Sequence, residues 1–168
     1  MSFGLTLSYD DLGVRSTMGE LRALNANLRT EVLAPIGQEL ETTTLERFQT
    51  GTGPDGQAWA PSYRVKLNGG LTLVQSGRLR ESVTYFADDD SVEIGSPEIR
   101  AAVHQFGATI TAKGAGGLAF TLADGTGRVV QSVTIPARPF VGLSIEDGVL
   151  VAEIAEQALI RVFDRSVG

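Results

Sequence analysis

The sequence predicts an α+β fold in which an N-terminal helical hairpin and a C-terminal helix pack on a mostly antiparallel sheet that carries a protruding β-hairpin. Two observations lead to this prediction. Apolar residues recur at steps of three and four near both ends of the chain, which is the period of an amphipathic helix. Between these regions lie short stretches of alternating apolar and polar residues, separated by turns rich in glycine, proline and aspartate.

The N-terminal part of the chain is predicted to be a strand followed by helices. Apolar and small or polar side chains alternate over residues 3–9, as in a half-buried strand. Residues 17–50 have a helical apolar stripe and form two helices or one long helix kinked near Pro35. Thr17 and Glu20 have the spacing of a capping box, and Gly51 stands where a helix C-terminal cap is expected.

An irregular segment follows these helices. Residues 50–61, TGTGPDGQAWAP, contain the turn-forming triplet Pro-Asp-Gly and cannot form regular structure. Trp59, the single tryptophan of the chain, is expected to be buried against the helices of residues 17–50 and to fix this loop. Residues 62–72 are predicted as a loop with a flexible tip at 68–70, and residues 76–83 as one short helix.

The second half of the chain is predicted to contain strands and two further helices. Residues 83–87 and 91–95 form strands joined by a charged turn, and Pro97 opens a helix that Gly107 ends. The glycine-punctuated residues 108–134 suggest a meander with protruding loops and a hairpin turn at 124–125. Ser144 and Asp147 then cap a last helix, whose apolar ladder consists of Leu150, Ile154, Ala158 and Val162.

Composition limits the chemistry that the chain can perform. Its 168 residues correspond to a single domain, residues 1–168. The absence of cysteine excludes disulfides, a thiol nucleophile and Cys-ligated metals, and the single histidine excludes a site with two or more histidine ligands. No secretory signal or membrane span is predicted. The net charge of −6 argues against a dedicated nucleic-acid binder. All but two of the 14 basic residues are arginines, which either reflects a GC-rich genome or suits protein interfaces.

Two glycine clusters resemble nucleotide-binding loops only superficially. Gly51, Gly53 and Gly56 match G-x-G-x-x-G, but a helix precedes them and Pro54 lacks an amide hydrogen, so they are interpreted as a helix stop and a turn. The cluster at 114–117 beside Lys113 lacks the ending of a P-loop and is interpreted as a hairpin tip.

The remaining candidates for chemistry are an acidic turn and the one histidine. Asp88, Asp89 and Asp90 could gather a cation, but consecutive side chains on a tight turn point in different directions, which favours a solvated turn. His104 has no G-x-S-x-G nucleophile elbow to serve and is interpreted as a packed or interface residue. The sequence therefore predicts no catalytic, cofactor-binding or metal-binding residue, and no enzymatic activity.

Four irregular motifs occur in order along the chain: Arg47-Phe48 followed by PDG-x-x-W-x-P at 54–61, L-x-x-SGRLR-x-SV at 73–83, VHQFG at 103–107 and IPARPFVG at 135–142. Together they resemble the phage virion morphogenesis family, the Mu G-like tail-completion proteins of tailed phages. The resemblance extends from about Leu21 to Val162. It implies an α+β domain without catalytic function.

The resemblance also implies a location and partners. It implies a structural protein of the phage neck that completes the tail and joins it to the head, made in the host cytoplasm and retained in the virion. The expected assembly is a homo-oligomeric ring, a hexamer from the sixfold symmetry of the tail tube, in contact with head–tail connector and tail proteins. DNA would pass through this ring without sequence-specific binding, and no membrane is involved. The alternatives are a tail terminator that caps the tail tube and, remotely, a small hydrolase using His104.

Two physical predictions accompany this interpretation. Arg138 lies between Pro136 and Pro139 and is expected to pair with an acid, within the chain or across a subunit boundary. The segment 109–133 is expected to be mobile in the free subunit and to become ordered on assembly, because its bland strands and glycine turns contain nothing to anchor them.

Overall fold

The computed structural model of the chain describes residues 5–7 and 29–167. Strand β1 (Leu5–Leu7) lies within the strand predicted at 3–9 and confirms its central part. The predicted capping box at Thr17 and Glu20, and the first half of the predicted helical hairpin, lie outside the described residues.

The first described helical region runs through Pro35 without interruption. A π-helical turn (Arg29–Leu33) leads directly into helix α1 (Ala34–Thr50), and Leu33 keeps helical backbone angles, with φ −68° and ψ −40°. Pro35 has no N–H to donate to the preceding turn, and the hydrogen-bond ladder widens just before it. Residues 29–50 therefore form one distorted helix. Gly51 ends it in the left-handed region, with its N–H donating to the Arg47 carbonyl at 2.8 Å, as predicted.

Helix α1 packs on a three-stranded antiparallel sheet formed by β1, β2 (Thr84–Ala87) and β3 (Val92–Ser96), in the order β1-β3-β2. Gly37 permits this packing, because a Cβ at that position would lie 2.2 Å from the Tyr85 ring. The predicted acidic turn joins β2 to β3. In it, Asp88 Oδ1 accepts hydrogen bonds from the backbone N–H groups of Asp90 at 2.8 Å and Ser91 at 2.6 Å.

Helix α2 (Tyr63–Asn68) lies where the sequence predicted a loop. Its signals are Ser62, whose Oγ accepts a hydrogen bond from the Val65 N–H at 3.3 Å, and Gly69, whose N–H donates to the Val65 carbonyl at 2.9 Å. Helix α3 (Arg78–Glu81) confirms the short helix predicted at 76–83 in position, but it forms a single turn.

Helix α4 (Ala101–Phe106) begins later than predicted, so the assignment of Pro97 as its first residue was wrong. The Ser96 hydroxyl accepts a hydrogen bond from the Glu98 N–H at 3.1 Å, and the Glu98 carbonyl accepts one from the Ala101 N–H at 2.9 Å. These bonds close a turn over residues 97–100, and the helix starts only after it. Gly107 follows the last helical residue, as predicted.

Residues 108–135 form one interrupted β-hairpin rather than the predicted meander. The chain forms β4 (Ala108–Thr111), β5 (Leu118–Thr121), β6 (Gly127–Val130) and β7 (Ser132–Ile135). Strand β4 pairs with β7 and β5 pairs with β6, both antiparallel. Alternation along a strand does not specify its partner, and the predicted turn at 124–125 closes the hairpin far from its base. The protruding hairpin of the predicted fold class is confirmed, but its internal order was wrong.

Helix α5 (Ile145–Val167) completes the fold. Its predicted capping box is confirmed: the Ser144 hydroxyl accepts a hydrogen bond from the Asp147 N–H at 3.1 Å, and Asp147 Oδ2 accepts one from the Ser144 N–H at 2.8 Å. The helix packs against α1, and the buried apolar side chains among its described residues are Val151, Ala155 and Ala158. Among the described residues, no helix is long and apolar enough to cross a membrane.

Candidate functional site

Residues from three of the four sequence motifs meet at one mostly buried segment, residues 138–142, which we call the strap. Gln105 both accepts hydrogen bonds from the strap backbone and donates one to it. Its Oε1 accepts hydrogen bonds from the N–H groups of Phe140 at 3.0 Å and Val141 at 3.1 Å, and its Nε2 donates to the Val141 carbonyl at 2.7 Å. Trp59 Nε1 donates to the Pro139 carbonyl at 2.8 Å. The strap is irregular and buried, so these side chains replace the partners that a sheet would supply.

Arg47 ties the strap to the two long helices. Its guanidinium donates to the carbonyls of Phe140 at 3.0 Å and Gly142 at 2.8 Å, and it forms a buried ion pair with Asp147 at the start of α5. Burial alone would raise the pKa of Asp147, but hydrogen bonds from Ser144 and the charge of Arg47 hold this pKa below its ordinary value. The sequence analysis did not find this pair, because nothing local links a helix residue to a partner 100 positions away.

Aromatic packing completes this region. The Phe48 ring contacts Trp59 edge-on, with centroids 5.5 Å apart, and lies 5.3 Å from the Phe140 ring. Trp59 is 7% exposed, which confirms that it is buried against the helical region and fixes the 50–61 loop. These three motifs thus help to hold the core together, and Arg47, Trp59 and Gln105 engage their polar groups in structural hydrogen bonds.

A cleft of about 640 Å³ lies beside this core, between helices α2, α3 and α4. Four arginines line it together with Glu98 and His104, and we call it the arginine cleft: Arg64, Arg78, Arg100 and Arg138. The far end of the β-hairpin, residues 121–123, forms another wall. Sequence reasoning missed this site because its arginines come from separate elements and no motif marks them as a group.

An exposed hydrogen bond joins the turn of the β-hairpin to helix α2 at the arginine cleft. The Tyr63 hydroxyl donates to Asp124 Oδ2 at 2.9 Å, beside the hairpin turn. This bond raises the pKa of Tyr63. The pKa of Asp124 is lowered chiefly by hydrogen bonds from Thr126, with Tyr63 adding to the effect. The turn is therefore held next to α2, although both side chains remain in solvent.

Arg138 carries the most buried charge of the cleft and is 6% exposed. Its Nε donates to the Ala60 carbonyl at 2.7 Å, and its backbone N–H donates to the His104 carbonyl at 2.7 Å. No acid of the described chain pairs with it, so the within-chain form of the predicted pairing is not found there. Burial lowers its pKa, yet a guanidinium keeps its proton at neutral pH. Pairing across a subunit boundary stays a prediction.

His104 sits at the same cleft without a catalytic arrangement around it. Its Nδ1 is buried and has no hydrogen-bond partner in the part of the chain that the structure describes. Burial and the charges of Arg138 and Arg100 lower its pKa, so the imidazole is neutral at pH 7. A general base needs an orienting carboxylate or a nucleophile within hydrogen-bond reach, and His104 has neither among the described residues.

The other sequence candidates lie apart from this cleft. In the 50–61 loop, the Gly53 N–H donates to the Gln57 carbonyl at 2.8 Å and the Gly56 N–H to the Gly53 carbonyl at 3.0 Å, so both amides serve the turn. Gly117, with φ +72°, lies between β4 and β5, where the hairpin is interrupted, so the prediction that the 114–117 cluster forms a hairpin tip was wrong. The tip is the turn at residues 122–126. Over residues 5–7 and 29–167, no group of three acidic or histidine side chains is arranged to hold a metal ion, and this includes the turn at 88–90.

Sequence comparisons with known proteins identify the family of the chain. The model of the phage virion morphogenesis family matches residues 9–160. The Mu-like prophage FluMu G protein 2 of Haemophilus influenzae is 29% identical over 119 residues, which cover 71% of this chain and 70% of that protein. No solved structure matches the chain. The family match covers most of the sequence and confirms the resemblance that the four motifs carry, so the chain belongs to the phage virion morphogenesis family.

Proposed function

We propose that this virion morphogenesis protein is a structural component of the phage neck that completes the tail and joins it to the head. In this role it forms a homo-oligomeric ring, a hexamer that matches the sixfold tail tube, between head–tail connector and tail proteins. DNA passes through the ring, and the net charge of −6 gives the phosphates no general attraction to the protein. The role is structural rather than enzymatic.

The observation that carries this proposal is the exposed apolar surface of α4 and the hairpin. Large apolar side chains lie in solvent over residues 99–129: Ile99, Phe106, Ile110, Phe120 and Val129. Ile99 is 74% exposed and Phe106 is 68% exposed. In our proposal, neighbouring subunits or neck proteins cover these side chains.

The hairpin itself also supports an assembly role. Its proximal strands place Ala108, Ile110, Val133 and Ile135 on one face, since these residues are cross-strand partners. Among the described residues, each of its strands pairs only with another strand of the hairpin. A two-stranded hairpin is marginally stable in water and gains stability when a further layer covers its apolar face. A neighbouring subunit or neck protein supplies that layer in our proposal.

Phage genetics and electron microscopy test the role directly. A phage that lacks this protein should accumulate filled heads and finished tails that are not joined, and the wild-type protein should restore particles with a ring at the joint. Joined, infectious particles without the protein would contradict the proposal.

A matched pair of variants tests the contribution of the hairpin. Ile110→Ser combined with Val129→Ser should leave the subunit folded but reduce the fraction of joined particles, because the hairpin loses its apolar contacts. Leu67→Ser combined with Leu71→Ser removes two exposed apolar side chains outside the hairpin and should leave joining unchanged. Equal joining by both variants would exclude the hairpin as the joining surface.

A further inference from the structure

We propose that the arginine cleft is the docking site for the Asp88–Asp90 turn of a second copy of this chain, so that subunits associate head to tail. The inference rests on the proposed ring and names its subunit interface. In it, carboxylates of one subunit reach the guanidinium groups of the next.

The buried state of Arg138 is the first argument. Its side chain is 6% exposed and lines the cleft, and within the described chain the only hydrogen bond of its guanidinium group is the one from Nε to the Ala60 carbonyl. A guanidinium presents five donors, so its terminal nitrogens remain available to an acceptor that enters the cleft. A carboxylate entering the cleft would supply the missing charge and accept hydrogen bonds from the terminal nitrogens.

The charge of the cleft is the second argument. Glu98 lies among the four arginines and pairs with Arg100 at 2.9 Å, and the hydrogen bond from Arg100 lowers its pKa. One carboxylate against four guanidinium groups leaves the cleft positive, whereas the whole chain has a net charge of −6. A second copy of the chain therefore offers excess carboxylates of the complementary sign.

The acidic segment that we assign to this site is the turn between β2 and β3. It concentrates three consecutive carboxylates on a tight turn, and Asp89 and Asp90 are exposed. The hydrogen bonds that Asp88 Oδ1 accepts from Asp90 and Ser91 hold its backbone in one conformation. A preorganised turn loses little conformational entropy when it docks.

The arginine cleft and the acidic turn lie at opposite ends of the antiparallel strand pair β2–β3. Arg78 precedes β2 and Arg100 follows β3, whereas the acidic turn joins the other ends of these strands. Four residues of strand separate the two ends by about 13 Å. Each subunit then carries the arginine cleft at one end of this strand pair and the acidic turn at the other. Such heterologous contacts repeat from subunit to subunit and close into a ring when the rotation allows it.

Complementary charge reversal tests the proposal on the full-length protein. The cleft variant carries Arg78→Glu with Arg100→Glu, and the turn variant carries Asp89→Arg with Asp90→Arg; all four side chains are solvent-exposed, so the subunit should stay folded. Sedimentation velocity and native mass spectrometry at low salt report the assembly state. Each variant alone should dissociate at least about thirtyfold more readily than wild type, because like charges then face each other.

The decisive sample is an equal mixture of the two variants. Every contact in an alternating assembly is again between opposite charges, so the mixture should regain oligomers with an even number of subunits. Two reversals on exposed α5 positions, Glu153→Arg with Glu156→Arg, serve as the control and should assemble like wild type. If the turn variant has lowered thermal stability, Asp89→Arg alone replaces it.

Three results would overturn the inference. They are a mixture that stays dissociated, a cleft variant that assembles like wild type, and a cleft variant that self-associates normally but fails to join heads to tails. The last result would place the occupant of the cleft on another neck protein. None of them contradicts the proposed neck function. The phage that lacks the protein tests that function separately.

Discussion

The strap and the β-hairpin are neighbours in sequence but opposites in structure. Residues 138–142 are mostly buried, and side chains from distant parts of the chain satisfy their backbone groups. Residues 108–135 are mostly exposed, and within the part of the chain that the structure describes their strands pair only with one another. The strap contains a motif by which the family resemblance is found, whereas the hairpin contains none of the four.

Backbone chemistry explains this difference. Two paired strands satisfy their N–H and C=O groups whatever their side chains are, so the hairpin sequence is free to vary. The irregular strap cannot pair in this way, and it requires Gln105, Arg47 and Trp59 at fixed positions. The motifs of this chain therefore specify its internal architecture, whereas the surface that we assign to assembly leaves little signature in the sequence.

The largest expected effect is on the buried pair of the strap region. Arg47→Ala should lower the free energy of unfolding by about 3–5 kcal/mol, because it leaves Asp147 buried without its counter-ion and frees two strap carbonyls. Urea denaturation measures the change. Arg128→Ala, an exposed arginine on the hairpin, is the matched control and should change it by less than about 0.5 kcal/mol. Similar losses in the free energy of unfolding for Arg47→Ala and Arg128→Ala would contradict the contrast between the strap and the hairpin.

A smaller effect is expected at Trp59. Trp59→Phe should lower the free energy of unfolding by about 1–3 kcal/mol, because the Pro139 carbonyl loses its donor while the ring contact with Phe48 is largely kept. Phe120→Leu on the hairpin, measured in the same denaturation experiment, should change it by less than about 0.5 kcal/mol. A Trp59→Phe variant as stable as wild type would show that this hydrogen bond does not hold the strap.

The smallest effect in this series is a dependence on acid pH. The pKa of Asp147 is lower in the folded state than its ordinary value near 3.9, so its contribution to stability is complete above that value and is lost as pH falls through the folded pKa. Asp147→Asn should therefore flatten the decline in stability below about pH 4. Asp124→Asn on the exposed hairpin turn should flatten it less, and the reverse order would contradict the assignment.

Local signals were sufficient to predict many elements of the fold. The glycine cap of α1, the turn at 88–91 and the capping box of α5 depend on residues that are close in sequence, and each was found. The burial of Trp59 followed from its place in a segment without regular backbone pairing. These features need no knowledge of the rest of the chain.

Features that depend on distant residues were missed or misassigned. The pairing of β4 with β7, the Arg47–Asp147 ion pair and the gathering of four arginines at one cleft all join residues far apart in sequence. Helix α2 differs from these features, because its cap residues Ser62 and Gly69 are close together in sequence and mark it locally. The start of α4 also has a local determinant, the Ser96 hydroxyl, which accepts a hydrogen bond from the Glu98 N–H and closes the turn before the helix.

The most direct test of the contrast between strap and hairpin is amide hydrogen exchange in two states. In the free subunit, we predict fast exchange over residues 109–133 and slow exchange at Phe140 and Val141, whose N–H groups donate to Gln105. In purified virions, the hairpin amides should become slow because a neighbour covers them, and the strap amides should not change. Equal protection of residues 109–133 in the free subunit and in the virion would contradict the account, since the hairpin would then be only a part of the domain itself.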